Sequence, residues 1–72
     1  MNANAEIALR ALYNYLGDDL QRAKSAFRNC TQEQMAQEYG KSGKTRQQII
    51  DDYQAHHDRT NAAIAWVRAV GA

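Results

Sequence analysis

Proline is missing from all 72 residues, so no position carries the locked φ and absent N–H that break a helix interior. Cysteine is reduced to Cys30, which excludes an internal disulfide and fits a cytoplasmic setting. Phenylalanine and tryptophan occur once each, as Phe27 and Trp66. No apolar run approaches the roughly 18 to 20 residues of a membrane span, and Met1 to Ile7 lacks the basic start and apolar stretch of a signal peptide. No membrane partner is expected. Neither sign of charge dominates, since the formal net charge is +1. A chain this short buries only about 60% of the surface its unfolded form exposes. We expect one helical domain over 1–72 with a thin core.

What is present favours helix nearly throughout. Alanine, glutamine and arginine are the commonest residues, and strand-like alternation is absent. Asn4 is placed to cap a first helix over about 5–29. Its stripe of Leu9, Leu12, Leu16, Leu20, Ala23 and Phe27 advances in steps of three and four, and residues eleven apart repeat as on a nearly straight helix. Gly17 interrupts the stripe, which implies either a close helix neighbour or a bend before Asp18 and Asp19. Tyr13, Tyr15 and Ile7 lie off it and suggest a second apolar surface, hence oligomerisation.

Thr31 with Gln34, and Thr45 with Gln48, each have the S/T-x-x-E/Q form of a capping box. They predict a short second helix over about 32–39, stopped by Gly40, and a third over about 46–70. The third carries the heptad-like stripe Ile49, Tyr53, His56, Thr60, Ala63, Val67 and Val70. The fold expected is all-α, a long antiparallel helical hairpin with a short middle helix. Two long helices leave a face of each uncovered, so a dimer or higher homo-oligomer is expected to complete the core.

Chemistry concentrates between Tyr39 and Ile49. From Arg22 to Arg46 there are six basic residues (Arg22, Lys24, Arg28, Lys41, Lys44, Arg46) and two acidic ones (Glu33, Glu38). A glycine-loosened, cationic turn that enters a helix aims amides and the positive end of the helix dipole at one place. This is the pattern of an anion site. The candidate ligand-binding residues are Lys41, Ser42, Gly43, Lys44, Thr45 and Arg46, with Tyr39 or Tyr53 available to stack on a base. Gly43-Lys44-Thr45 resembles the second half of a P-loop, whose pattern is G-x-x-x-x-G-K-[ST]. The leading glycine position is Glu38 and no strand precedes it, so a nucleotide hydrolase is excluded.

Ala36, Gly40, Ser42, Thr45 and Ile49, with Met35 and Tyr39 beside them, fall at spacings that resemble the helix-turn-helix of bacterial and phage DNA-binding proteins. That resemblance implies a regulator whose Gly43, Lys44, Arg46 and Gln47 face the major groove. Lys41 and Arg46 stand where the motif has aliphatic anchors.

His56 and His57 near Asp52 and Asp58 fall short of the three or four ligands of a zinc site and read as a polar layer on the third helix's seam. Trp66, at the stripe's edge, reads as core or subunit-interface packing. No catalytic constellation, cofactor or metal site is expected. The reading is a small non-enzymatic oligomer holding a phosphate-bearing, nucleotide-like molecule at the start of the third helix, in a role such as sequestering or sensing a small signal. The alternatives are nucleic-acid binding through the helix-turn-helix resemblance and a helical protein–protein interaction module.

Overall fold

The computed structural model describes residues 2–71. The chain is all-α, with α1 (Ala3–Leu16), α2 (Asp19–Phe27), α3 (Gln32–Met35) and α4 (Arg46–Gly71), and no strand among the described residues. None of these helices is long and apolar enough to cross a membrane.

The helix expected over 5–29 is two helices. Gly17 stands between them at φ 58°, ψ −161°, a conformation that side-chain-bearing residues avoid, and its N–H bonds the Tyr13 carbonyl at 3.4 Å. A Cβ placed on Gly17 would meet nothing within 4 Å, so the glycine serves backbone direction and not a close helix contact. Asp19 then opens α2, where a carboxylate complements the dipole, and Asp18 pairs with Arg22 one turn on. The first helix also starts earlier than the sequence suggested. Asn2, not Asn4, is the cap, its side chain accepting the Ala5 amide at 2.7 Å.

The chain divides into two compact units, one formed by residues up to Gly17 with those from His56 onward, the other running from Asp18 to Ala55. The leucine stripe is split between them. In the first unit Ala5 and Leu9 are buried with Thr60, Ile64 and Gly71, while Leu12, Leu16, Ala63 and Val67 are half-buried. His56 Nε2 donates to the Tyr15 carbonyl at 2.9 Å, and its ring meets the edge of the Tyr15 ring at 4.5 Å. This is the polar seam contact expected of one of the histidines. Thr60 is buried but satisfied, its hydroxyl donating to the His56 carbonyl one turn back at 2.8 Å.

In the second unit Leu20, Ala23 and Phe27 form the buried core, with Met35, Ile49 and Ile50 half-buried around it. Both capping boxes form as the sequence predicts. Thr31 Oγ accepts the Gln34 amide at 3.2 Å while Gln34 accepts the Thr31 amide at 2.8 Å; the Thr45–Gln48 pair matches at 3.0 and 2.8 Å.

The helix expected over 32–39 is a single turn, 32–35. Beyond it the chain chooses a different hydrogen-bonding partner: the Tyr39 amide donates to the Lys44 carbonyl at 2.9 Å and the Arg46 amide to the Gln37 carbonyl at 3.2 Å. An isolated antiparallel bridge joins Glu38 to Thr45, closing the intervening residues into a loop. Gly40 at φ 57° and Gly43 at φ 75° turn that loop in the left-handed region that other residues enter only with strain.

Candidate functional site

The elbow between α3 and α4 is built chiefly by contacts with itself and with Phe27. Tyr39, expected at the end of the second helix and available to stack on a base, lies beyond α3 and lays its ring against the buried Phe27 ring, centroids 5.2 Å apart and steeply inclined. Arg46 covers both: its guanidinium carbon lies 5.4 Å from the Tyr39 centroid and 5.9 Å from that of Phe27. One guanidinium nitrogen donates to the Gln34 carbonyl at 3.1 Å, tying the first turn of α4 to the end of α3. Within the loop, Ser42 donates its hydroxyl to the Tyr39 carbonyl at 2.7 Å and accepts the Lys44 amide at 3.2 Å.

Lys44 forms an ion pair with Asp52, two turns into α4. The hydrogen bond that Lys44 donates to that carboxylate, and then the carboxylate's charge, raise the Lys44 ammonium above the usual lysine value. Both side chains are more than half exposed, so solvent screens the pair. Tyr53 lies within electrostatic range of Lys44 and of Arg22. The structure therefore brings Tyr39, Ser42, Lys44, Thr45 and Arg46 together in one closed loop, with Tyr53 near Lys44. Lys41 is exposed at the loop's tip, and Gly43 supplies the turn.

The donors counted on for an anion are largely engaged. The amides of Thr45, Arg46 and Gln48 go to Gln48 Oε1, the Gln37 carbonyl and Thr45 Oγ respectively. Over the whole of the second unit the excess of positive charge disappears. The unit from Asp18 to Ala55 holds six basic side chains, those already named from Arg22 to Arg46, against six acidic ones, Asp18, Asp19, Glu33, Glu38, Asp51 and Asp52. Arg22 is held on Asp18 as Lys44 is on Asp52. The Arg22 hydrogen bond draws the Asp18 carboxyl below its ordinary value, while Arg22 itself is raised.

The helix-turn-helix spacing meets a different geometry. Its first helix would be the one-turn α3, and the ten residues from Ala36 to Thr45 separate α3 from α4. Perpendicular docking of two helices across a tight turn needs a longer first helix and a shorter link. Of the histidine and aspartate set, Asp52 is engaged by Lys44, His56 by the Tyr15 carbonyl, and the His57 ring lies 3.2 Å from the Asn61 amide nitrogen and 3.7 Å from Asp58.

A different surface came through only faintly in the sequence. Within the first unit, Asn2, Asn4, Ala5, Ala8, Trp66, Val67, Val70 and Gly71 line a groove of about 220 Å³. Ala5 and Gly71 are buried and make its floor, while Trp66 and Val70 stand on its rim, 67% and 61% exposed. Trp66 at the stripe's edge was the signal available; the small residues opposite it carried none. Comparison with protein-family models, with curated proteins and with solved structures finds no match to this chain.

Proposed function

We propose that this protein is a helical interaction module that acts by docking protein surface and not by catalysis, and that it works as a homo-oligomer in the cytoplasm. The observation that carries the reading is the exposed Trp66 and Val70 beside an uncharged groove floored by Ala5 and Gly71. Large apolar side chains at the rim of a concave surface are what an interface requires. The thin interior supports the same reading, because among the described residues no side chain is fully buried and Ile7 and Tyr15 are also about two-thirds exposed. We read α1 and the later part of α4 as an antiparallel hairpin. That arrangement is supported by Tyr15 meeting His56 while Ala5 and Ala8 share the groove with Val67 and Gly71.

On this reading the elbow is a structural clasp, and its cations serve the fold. The test is native mass spectrometry of the protein purified from cells, which reports subunit number and co-purifying molecules together. More than one protein chain per particle is expected. A monomer carrying a phosphate-bearing small molecule, released by Lys41→Ala, would overturn the interaction reading in favour of a ligand at the elbow.

A further inference from the structure

We infer that Gly17 and Asp18 form a two-state helix junction: the chain either interrupts the helix there, as observed, or runs as one helix from Ala3 to Phe27, and His56 latches the interrupted form by holding the Tyr15 carbonyl. The device stands apart from the interaction-module reading, and a junction that fails leaves that reading as it was.

The two helix ends that meet at the junction lack the signals that close helices elsewhere in the chain. Asn2, Thr31 and Thr45 each place a side-chain oxygen on an amide of the turn they start. Asp18, in the same place before α2, makes no such bond and turns its carboxylate to Arg22. The amides of Asp18, Asp19, Leu20 and Gln21 therefore find no acceptor among the described residues. On the other side, the last turn of α1 holds no basic residue, and Gly17 at ψ −161° is not the left-handed helical residue that folds a helix end back onto its own carbonyls.

The surrounding pattern is that of one helix. The stripe Leu9, Leu12, Leu16, Leu20, Ala23, Phe27 keeps its phase through Gly17, and every member is buried or half-buried. Asp18 and Arg22 are paired at i,i+4, a spacing that a continuous helix retains. No neighbouring group demands a glycine, since an added Cβ meets nothing within 4 Å. Continuity gives each of the four amides the carbonyl four residues back, at the cost of one helical glycine.

What opposes continuity is a tertiary contact. The carbonyl that the Asp19 amide would take is that of Tyr15, and in the structure it accepts His56 Nε2 at 2.9 Å while the His56 ring lies against the Tyr15 ring. The acceptor that closes the junction is thus the one that ties α1 to α4. Continuity and docking draw on the same oxygen. The continuous helix is the minor state, in the range of about 0.1 to 10% usual for such two-state equilibria.

The experiment is NMR relaxation dispersion on the full chain, which detects minor states exchanging in microseconds to milliseconds. Exchange centred on Asn14 to Gln21 and His56 is expected, with helical Cα shifts for Gly17 and Asp18 in the minor state. Two epimers at Gly17 should move it in opposite directions. The φ 58°, ψ −161° of Gly17 is close to the mirror image of polyproline II, which D-alanine adopts freely and L-alanine does not. Gly17→Ala should raise the ratio of continuous to interrupted helix by at least about tenfold, because the methyl strains one form and favours the other. It still lowers overall stability, since the interrupted form is the ground state. D-alanine at Gly17, introduced by chemical synthesis with labelled Asp18 to Gln21, should suppress the exchange. His56→Phe keeps a ring beside Tyr15 but removes the donor, and should raise the minor population by about 2- to 10-fold.

A wild-type chain without exchange at these residues, a D-alanine chain in which exchange persists unchanged, or a folded Gly17→Ala chain with non-helical Cα shifts at both positions overturns the junction. If Gly17→Ala fails to fold, the wild-type and D-alanine chains decide. A minor population unchanged by His56→Phe overturns the latch.

Discussion

Replacing Arg46 by alanine separates a structural clasp from a ligand site, because the two assign opposite consequences to the same side chain. In the clasp, Arg46 spans Phe27 and Tyr39 and donates to the Gln34 carbonyl. Each cation–π contact at a partly exposed site is worth about 0.5 to 1 kcal/mol, and a hydrogen bond from a charged donor about 1.5 kcal/mol at the lower end of its range. Allowing for non-additivity among contacts that share one guanidinium, the loss is about 2 kcal/mol. Against a total stability of about 4 to 10 kcal/mol for a chain of this length, that is a large fraction. At roughly 4 to 8 °C per kcal/mol for a domain of this size, Tm should fall by about 8 to 16 °C. Thermal unfolding followed at 222 nm, in ligand-free buffer, measures it. Arg46→Lys should recover part of the loss, since the charge remains over the rings while the planar fork does not. A Tm for Arg46→Ala within about 2 °C of wild type would refute the clasp and restore Arg46 as a cation held in reserve for a ligand.

Gly17→Ala should destabilise by about 1 to 3 kcal/mol in urea titration, purely through backbone strain, because there is open space for the added methyl. An unchanged or higher midpoint would mean that α1 and α2 can join as one helix. Thr45→Ala should cost about 1 kcal/mol, since it removes the acceptor of the Gln48 amide at the start of the longest helix; the same titration reads it, and a neutral result would remove the capping argument. The exposed ion pairs add a small pH dependence at each end of the range. Asp18 is held below its ordinary carboxylate value by the Arg22 hydrogen bond, so its contribution is complete above that ordinary value and is lost as pH falls through the lowered one. Asp18→Asn should flatten the acid limb of the Tm–pH curve. Lys44 is held above the usual lysine value by Asp52, so its contribution is complete below that value and is lost as pH rises through the raised one; Asp52→Asn should flatten the alkaline limb. Both effects should be small and fade in 1 M salt, where the screening length is about 3 Å.

Much of the local structure was legible because it depends on residues three or four apart. Thr31 with Gln34, and Thr45 with Gln48, form their boxes where the spacing placed them; Gly40 is left-handed but turns the loop and does not stop α3, which ends at Met35. The apolar stripe from Leu9 to Phe27 also turns inward. Its continuity was misleading, because periodicity reports which side of a segment is apolar and not whether the axis runs unbroken; Gly17 breaks the helix while the stripe keeps its phase. The early end of α3, at Met35 and not near Tyr39, was hidden for a related reason. Nothing in the propensities of residues 36–39 disfavours helix, but their backbone groups find partners at Lys44 and Arg46 across the loop.

The sequence by itself determined that this is a helical chain with two capped helix starts around a glycine turn, since those features need only near neighbours and the alphabet of side chains. Tertiary structure alone decided where the cations went. Lys44 reaches an aspartate eight positions on, Arg46 reaches a carbonyl twelve positions back, and within a run that looks basic along the chain Arg22 and Lys44 are each paired with an aspartate outside it. Charge is a linear count in a sequence but a matter of distance in a fold, and the same holds for Trp66, whose groove exists only because Ala5 and Ala8, some sixty residues earlier, lie beside it.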